Sequence, residues 1–470
     1  MKNSLLLLET GLLCLSNVLS ANAITTDKAT DSKTAKPNFL IILADDAGYN
    51  DFGFMGSKEM VTPNIDALSQ SGVVFSDGHV AATVSSPSRA CLITGRYGHR
   101  FGYECNLDGK NDGLSTDEKT LGDIFSAEGY RTAAIGKWHL GSLPELHPNR
   151  RGFDMFYGML AGGRQYFYDA KHDDRPGDEH NLQLNGVQQK FDGYLTDVFT
   201  DKAIEYINES DQPFMMYLAY NAVHTPMQAT QEDLDRFKGH PRQKLAAMTY
   251  ALDRGVGRIV DTLKKNGKFD NTIIFFLSDN GGAAINTSSN YPLKGWKGNK
   301  FEGGHRVPFF VVWNNHIPGG KKFDGLVSSL DIAATFADAA NMKQPKENKL
   351  DGVSLIPYLT KDSKKDPHKM LCWRKMDTRA IREGDYKLII TEGVDSVLYN
   401  IQEDPQEMNN LIQKEQKIYK RLRKHLSQWE EDVCTEPRWI EKGWGDITNG
   451  IHKKLMNNTV KEAKDYYKRK

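Results

Sequence analysis

The chain has 470 residues, 39% of them hydrophobic and 26% charged, with a mean hydropathy of −0.56. That is a globular composition, long enough for a large core in about two or three domains, and it excludes collagenous, coiled-coil and wholly disordered classes. The 61 Lys and Arg balance 61 Asp and Glu, so no global field draws nucleic acid or an anionic membrane, and any anion must be recognised in a local pocket.

In chain order, Lys2 precedes a mostly apolar stretch from Leu5 to Leu19, and Ala21-Asn22-Ala23 supplies the small-x-small pattern of a signal-peptidase site. Residues 1–23 read as a signal peptide, which implies an exported protein, periplasmic or secreted. The stretch is too short to span a bilayer comfortably, so an integral membrane protein is not expected. A lipid anchor at Cys14 ranks lower, because Leu12 and Leu13 make a poor lipobox. Residues 24–36, rich in Thr, Lys, Ala and Asp, form a polar tether. Cleavage leaves Cys91, Cys105, Cys372 and Cys434 without CxxC spacing, which indicates neither a zinc site nor a dense disulfide framework. One or two bridges stay open, with no pairing assigned.

The fold starts at Pro37. Four short apolar runs each end in reactive polar residues: Phe39 to Leu43 before Asp45-Asp46, Thr132 to Ile135 before Lys137 and His139, Phe214 to Ala219 before His224, and Ile273 to Leu277 before Asp279-Asn280. This pattern predicts an α/β fold, a large mixed, mostly parallel sheet flanked by helices, with its site at the carboxyl ends of the strands. Leu245, Met248, Leu252, Val256, Ile259 and Leu263 recur at spacings of three and four before Gly267, which predicts an amphipathic helix over the sheet. Thr62-Pro63-Asn64, followed by Ile65, Leu68 and the Gly72 stop, predicts another helix with Thr or Asn as its cap.

These elements place a catalytic domain at 37–360. The charged segment Thr360 to Lys369 reads as a linker into a small α+β subdomain at 361–450, with a short antiparallel sheet from Arg379 to Ile401 and a helix from Glu407 to Trp429. A charged tail, 451–470, reads as a solvated terminal helix.

Asp45-Asp46, at a strand exit, can turn two carboxylates toward one hard cation, although Asp-Asp-x-Gly is also an ordinary turn. Asp279-Asn280-Gly281-Gly282 adds a carboxylate and an amide oxygen after a second buried strand. Two acidic strand ends in one sheet favour a metal site. The most specific feature is Ser85-Ser86-Pro87-Ser88-Arg89-Ala90-Cys91-Leu92-Ile93-Thr94-Gly95-Arg96. It has the sulfatase signature: Cys or Ser first, Pro third, Arg fifth and a Thr-Gly-Arg end. With PNFLIILADDAGYNDFG, GYRTAAIGKWHLG, IIFFLSDNGG and KGWKGNKFEGGHRVPFF in order, the chain resembles a family I, formylglycine-dependent sulfatase of the alkaline phosphatase superfamily, of the bacterial Ser type.

The resemblance implies an alkaline phosphatase-like fold and a Ser85 oxidised to formylglycine by an anaerobic-type radical maturase. A plain serine attacking sulfur would leave a stable sulfate ester, whereas an aldehyde hydrate carries a second hydroxyl whose deprotonation expels sulfate. It also implies one calcium ion held by Asp45, Asp46, Asp279, Asn280 and the modified Ser85. Arg89 would position the hydrate, Lys137 fix charge, and His139 take the proton as sulfate is expelled. His224 would bind sulfate and protonate the leaving alcohol, and Lys297 would clamp the sulfate, with Lys294 and Lys300 as close competitors. After GFDMFYG, the segment MLAGGRQYFYDAKHDDRPGDEHN offers no serine that can be placed against the sulfate. It reads as a recognition loop through Arg164, Tyr166, His172 and Arg175, and His305 is a further candidate contact.

The implied reaction is hydrolysis of a sulfate ester, R-O-SO3⁻ plus water, on a sulfated small molecule or, through polar and cationic loops, a sulfated carbohydrate. The alternatives are a phosphate or phosphonate ester hydrolase on the same fold, and a non-catalytic glycan-binding protein with unmodified Ser85. A cluster of two Lys, two His, an Arg and a metal is costly to assemble without chemistry to perform.

Overall fold

A computed structural model describes residues 36–343, 347–360, 365–441 and 443–467. The expected signal peptide, nearly all of the tether and residues 361–364 of the expected linker lie outside the described residues.

The four apolar runs become four neighbouring strands of one ten-stranded sheet. Thr272–Ser278, Asn38–Ala44, Phe214–Ala219 and Arg131–Lys137 lie side by side and all parallel. Their carboxyl ends, carrying Asp279, Asp45, the His224 loop and Lys137, therefore fall on one edge. Beyond Arg131–Lys137 the sheet continues through Met155–Met159, Gln183–Leu184 and Val187–Gln188. On the other side it ends with Phe309–Val312, Val73–Phe75 and Lys321–Phe323. The sheet is mixed because Phe309–Val312 runs antiparallel to Thr272–Ser278.

Asn38–Ala44 is buried at every position, as a central strand covered on both faces must be. Leu40 and Ile42 join one core with Leu195, Phe199, Met248, Leu252 and Val256. Phe39, Ile41 and Leu43 join the other with Ala90, Ile93, Phe125 and Phe336. The amphipathic helix spans Gln243–Lys265 and buries all six residues of the predicted stripe. Gly267 follows at φ +64, and the bonds from Gly267 N to Lys264 O and from Lys268 N to Leu263 O close a Schellman end. The helix Pro63–Gln70 starts after Thr62, but neither Thr62 nor Asn64 caps it. Asp253 of the long helix does so, accepting from Ile65 N at 2.8 Å and Asn64 Nδ2 at 2.7 Å.

The C-terminal sheet is antiparallel and consecutive: Met370–Lys375, Thr378–Glu383, Tyr386–Thr391 and Asp395–Asn400. Its first strand begins directly after the expected linker, before the point where the sequence pattern starts the sheet. The helix expected from Glu407 runs instead over Gln416–Val433. Glu407 has a left-handed φ of +53 and a fully buried side chain, ion-paired with Lys387 at 3.0 Å, which takes it out of any helix. One sheet face packs on Leu422, Leu426 and Trp429 of that helix. The other packs on Leu455 and Met456 and on Trp296 and Phe301. The expected boundary at 450/451 also gives way: a helix spans Trp444–Met456 across it, and Leu455, Met456 and Val460 are buried rather than solvated. All four described cysteines are free thiols, and no described helix is long and apolar enough to cross a membrane.

His452, on the helix Trp444–Met456, is fully buried. Its Nε2 faces the backbone N–H of Lys300 at 3.1 Å and its Nδ1 faces Thr448 O at 2.8 Å. That pattern requires a neutral ring that accepts at Nε2 and donates from Nδ1. Burial accordingly pushes its pKa down to about 3. The unfolded ring titrates near about 6.5, so between these values the unfolded state binds the extra proton, and stability falls as pH falls from about 6.5 towards 3. Replacing His452 with Gln is expected to flatten the loss of thermal midpoint between about pH 6.5 and 4, a slope of up to about 1.4 kcal/mol per pH unit for one group. An unchanged slope would assign the acid sensitivity elsewhere.

Candidate active site

Ser85 opens the helix Ser85–Thr94, every residue of which is buried. Its N-cap, Val84, offers no side-chain acceptor, and Asn106 Oδ1 accepts from the Ser86 N–H at 3.0 Å instead, so the positive end of the helix faces the strand edge. Ser85 Oγ donates to Asp279 and lies 3.4 Å from Asp45 Oδ1. Arg89, one turn along, reaches back with Nε 3.4 Å from Ser85 Oγ. It also binds Asp279 Oδ2 through Nε at 3.1 Å and Nη2 at 2.8 Å. Lys137 Nζ lies 2.6 Å from Asp45 Oδ2 and 3.2 Å from Ser85 Oγ. On the other side, Lys297 Nζ lies 2.6 Å from Asp46 Oδ1 and His224 Nε2 lies 3.7 Å from Asp46 Oδ2.

The three candidate lysines differ in their partners. Lys294 is buried against Glu407 O at 2.8 Å and Asn458 Oδ1 at 2.6 Å, and Lys300 against Thr83 Oγ1 at 3.0 Å. Lys297 alone of the three meets the acidic cluster in this way.

Three carboxylates and three cations share a site whose acids are all fully buried. Burial opposes ionisation and prevails at Asp45, which is held above the usual carboxylate range despite Lys137. At Asp46 burial is outweighed by Lys297 and His224, and at Asp279 by Arg89, Lys137 and Lys297, so both sit below it. His139 is driven well below the imidazole range, first by burial and then by Lys137, Arg89 and Lys297. It is a neutral ring with a φ of +57 and a buried Nδ1 that has no partner.

A hard divalent cation fits this donor set. Asp45, Asp46 and Asp279 offer carboxylate oxygens and Asn280 an amide oxygen, an all-oxygen group suited to calcium or magnesium. Asn280 Oδ1 is buried without a partner, although its Nδ2 donates to Asp46 at 2.8 Å. Such an orphaned acceptor is expensive unless a cation takes it up.

The four residues of the expected recognition loop sit in different surroundings. Arg164 is buried and tied to Asp173 and to His180 O at 2.8 Å, so it holds the loop together. Tyr166 is also buried, its hydroxyl 2.5 Å from Asn221 O and 2.8 Å from His224 O; it positions the His224 turn from behind. His172 and Arg175 are exposed, with His172 paired to Asp169 at 2.6 Å. His305 must be corrected. It has no solvent exposure, stacks on Trp373 at 3.9 Å, and bonds His79 at 2.9 Å and Lys387 at 3.0 Å; packing against the C-terminal sheet leaves no room for substrate there.

Two glycines in the segment were given no role by sequence reasoning. A Cβ on Gly162 would stand 2.6 Å from His139 Nε2, and one on Gly163 3.2 Å from His224. The pair lets one strand-loop crossing back both histidines. The Gly-Gly dipeptide just past the strand Met155–Met159 was the available signal.

A serine at a helix N-terminus, ringed by Arg and Lys and backed by an all-oxygen donor set that a divalent cation fits, suits the hydrolysis of anionic esters. Comparison with known proteins makes this specific. Residues 37–342 match the sulfatase family, and residues 295–432 match the family described as N-sulphoglucosamine sulphohydrolase, C-terminal. The chain belongs to the sulfatase family and is a sulfuric ester hydrolase. It is 36% identical over 400 residues to an uncharacterised sulfatase of Escherichia coli (strain K12), YdeN, covering 73% of this chain and 69% of that one. It is 31% identical over 377 residues to N-acetylgalactosamine-6-sulfatase of Mus musculus, covering 75% and 71%. Among solved structures, Ps i-CgsB in complex with k-i-k-neocarrahexaose superposes with a TM-score of 0.82 at 38% identity, over 89% of this chain and 99% of that one. A phosphonate monoester hydrolase of Agrobacterium radiobacter shares the fold, with a TM-score of 0.63 at 20% identity over 85% of this chain and 95% of that one.

Proposed function

We propose that the protein removes sulfate from a sulfated carbohydrate, with Ser85 converted to formylglycine and one calcium ion held by Asp45, Asp46, Asp279, Asn280 and residue 85. The observation that carries the reading is the placement of Ser85 Oγ between Asp45, Asp279, Arg89 and Lys137 at one helix end. A relative 38% identical in sequence was crystallised in complex with k-i-k-neocarrahexaose, and several relatives carry the name N-acetylgalactosamine-6-sulfatase, which supports the carbohydrate class. Export to the periplasm or beyond, and maturation by a radical enzyme, belong to the same reading.

When bound, the cation supplies positive charge for the sulfate oxygens and lowers the pKa of a hydroxyl at residue 85. The protein's own groups do the rest. Arg89 and Lys137 orient and neutralise the group at residue 85, and Lys297 balances charge on the opposite side, where the sulfate enters. His139, neutral and buried, accepts a proton beside residue 85. His224 Nδ1 bonds Thr225 O at 2.7 Å, which fixes the ring with Nε2 toward the site, placed to serve the leaving oxygen.

Peptide mass spectrometry of the Ser85 segment, from protein made alongside an anaerobic Ser-type maturase, is expected to show loss of two hydrogens and aldehyde reactivity. Converted protein is then expected to release sulfate from sulfated glycans faster than phosphate from a phosphate ester. Unconverted serine under those conditions would overturn the mechanism and advance the binding-protein alternative; faster phosphate release would advance the phosphate or phosphonate hydrolase.

A further inference from the structure

The cleft that reaches Ser85's surroundings is chemically two-sided. A cavity of about 340 Å³ has Asp46, His224 and Lys297 at one end and is walled at the other by the helix Trp444–Met456 and the Ala283–Ile285 loop. The deep part of this second wall is closed, with Trp296 only 4% exposed. Toward the mouth the apolar side chains open to solvent: Ile447 is 47% exposed, Trp444 56% and Ile285 73%. These are three of the eight most exposed large hydrophobic residues among the described ones, and all three line this one cavity. Scattered exposed apolar residues mean little, whereas a patch continuous with a charged site marks a ligand surface. Lys375 lies in the same cavity but is ion-paired with Glu441, so among the described residues this wall adds no free cation for a second sulfate.

We infer that Trp444, flanked by Ile447 and Ile285, is the platform for the sugar ring next to the sulfated one, which makes the enzyme selective for oligosaccharides over monosaccharide sulfates. The inference rests on the carbohydrate reading proposed above. A pyranose ring has an apolar C–H face edged by hydroxyls. The half-exposed indole receives that face, while Asn106, Asn299 and the Lys375–Glu441 pair in the cavity offer donors and acceptors to the hydroxyl edge. A single sulfated ring seated at Lys297 would fill the charged end and leave the mouth uncovered. Only a leaving group that continues into the mouth covers all three apolar residues. The loops that the sequence marked for recognition, at His172 and Arg175, line none of this cavity.

The test uses protein made without maturase, so that binding is read apart from turnover. Calorimetric titrations compare k-i-k-neocarrahexaose, a chondroitin 6-sulfate hexasaccharide and N-acetylgalactosamine 6-sulfate. At least one hexasaccharide is expected to bind about tenfold more tightly than the monosaccharide, the fold-change a ring-sized apolar contact supplies. Trp444→Ala is expected to erase that advantage while leaving monosaccharide affinity within about twofold, and Trp444→Phe to keep most of it. An advantage that survives in Trp444→Ala, or an equal loss for both ligand sizes, overturns the platform and leaves the carbohydrate reading standing. If converted wild-type protein hydrolyses nitrophenyl sulfate but neither binds nor hydrolyses any of the three glycans, the carbohydrate reading itself fails and takes the platform with it.

Discussion

Replacing Asp279 with Asn is expected to cut sulfate-ester turnover by about 10³-fold, the scale of losing a preorganised charged group at a reacting centre. The cause is shared partners. Asp279 accepts from Ser85 Oγ, from Arg89 twice and from the backbone N–H of Asp46 at 3.1 Å. Asparagine keeps the shape but turns an amide toward a fully buried guanidinium, and breaking such a pair costs about 3 kcal/mol or more. Asp253→Asn is the control: Asp253 is equally buried but caps the helix Pro63–Gln70, so stability should fall while turnover per folded molecule stays near wild type. Calcium should raise the thermal midpoint of the wild type, and chelation should reverse it, with a response much reduced in Asp279→Asn. Equal calcium responses in the two proteins would remove Asp279 from the metal site.

Gly162→Ala is expected to lower kcat by about 100-fold with a small change in thermal midpoint, because misplacing a reacting group by an ångström has effects of that size. The added methyl would sit 2.6 Å from His139 Nε2, so the ring must move. Gly162 is not itself in the strained region of backbone space, so the substitution tests contact rather than conformation. The pH profile discriminates: if His139 takes a proton during turnover, the variant should lose rate mainly through kcat and shift the acidic limb. A drop confined to KM would point to the substrate path instead.

Much of this site was legible because its residues sit at the ends of four apolar runs. The runs differ in length and are far apart in sequence, yet a parallel sheet must bring their carboxyl ends to one edge. Asp45, Lys137, His224 and Asp279 were readable on that ground before any contact was known. Lys297 was harder, since Lys294 and Lys300 share its loop and charge. Only packing against Glu407 and Thr83 tells them apart. His305 failed for a related reason: a histidine in a glycine-rich, charged motif looks functional, but two of its neighbours, Trp373 and Lys387, come from the C-terminal sheet, over 60 residues away in the chain. The helix from Glu407 failed because a buried long-range ion pair overrode a local pattern. Trp444 had no local signal at all, since its meaning comes from the cavity that two distant segments enclose.

The seam between the ten-stranded sheet's side of the fold and the C-terminal sheet limits how such chains can be recombined. Lys387, on the C-terminal sheet, has no solvent exposure and is shared by Glu302 at 2.8 Å, Glu407 at 3.0 Å and His305 at 3.0 Å. Glu302 and His305 lie on the chain just after Lys297, and Trp296 and Phe301 from that same stretch fill the C-terminal core. A chimera crossing over at Thr360 would therefore strand one buried acid, Glu302, and His305 against a foreign sheet, an error of several kcal/mol. A crossover ahead of Lys294 would carry the lysine loop, its ion network and its sheet together, and the second family match, beginning at residue 295, follows the same division. The C-terminal sheet and the Lys297 loop thus pack as one unit, so exchanging the sheet between relatives means exchanging the stretch that sets Lys297 beside Asp46 as well.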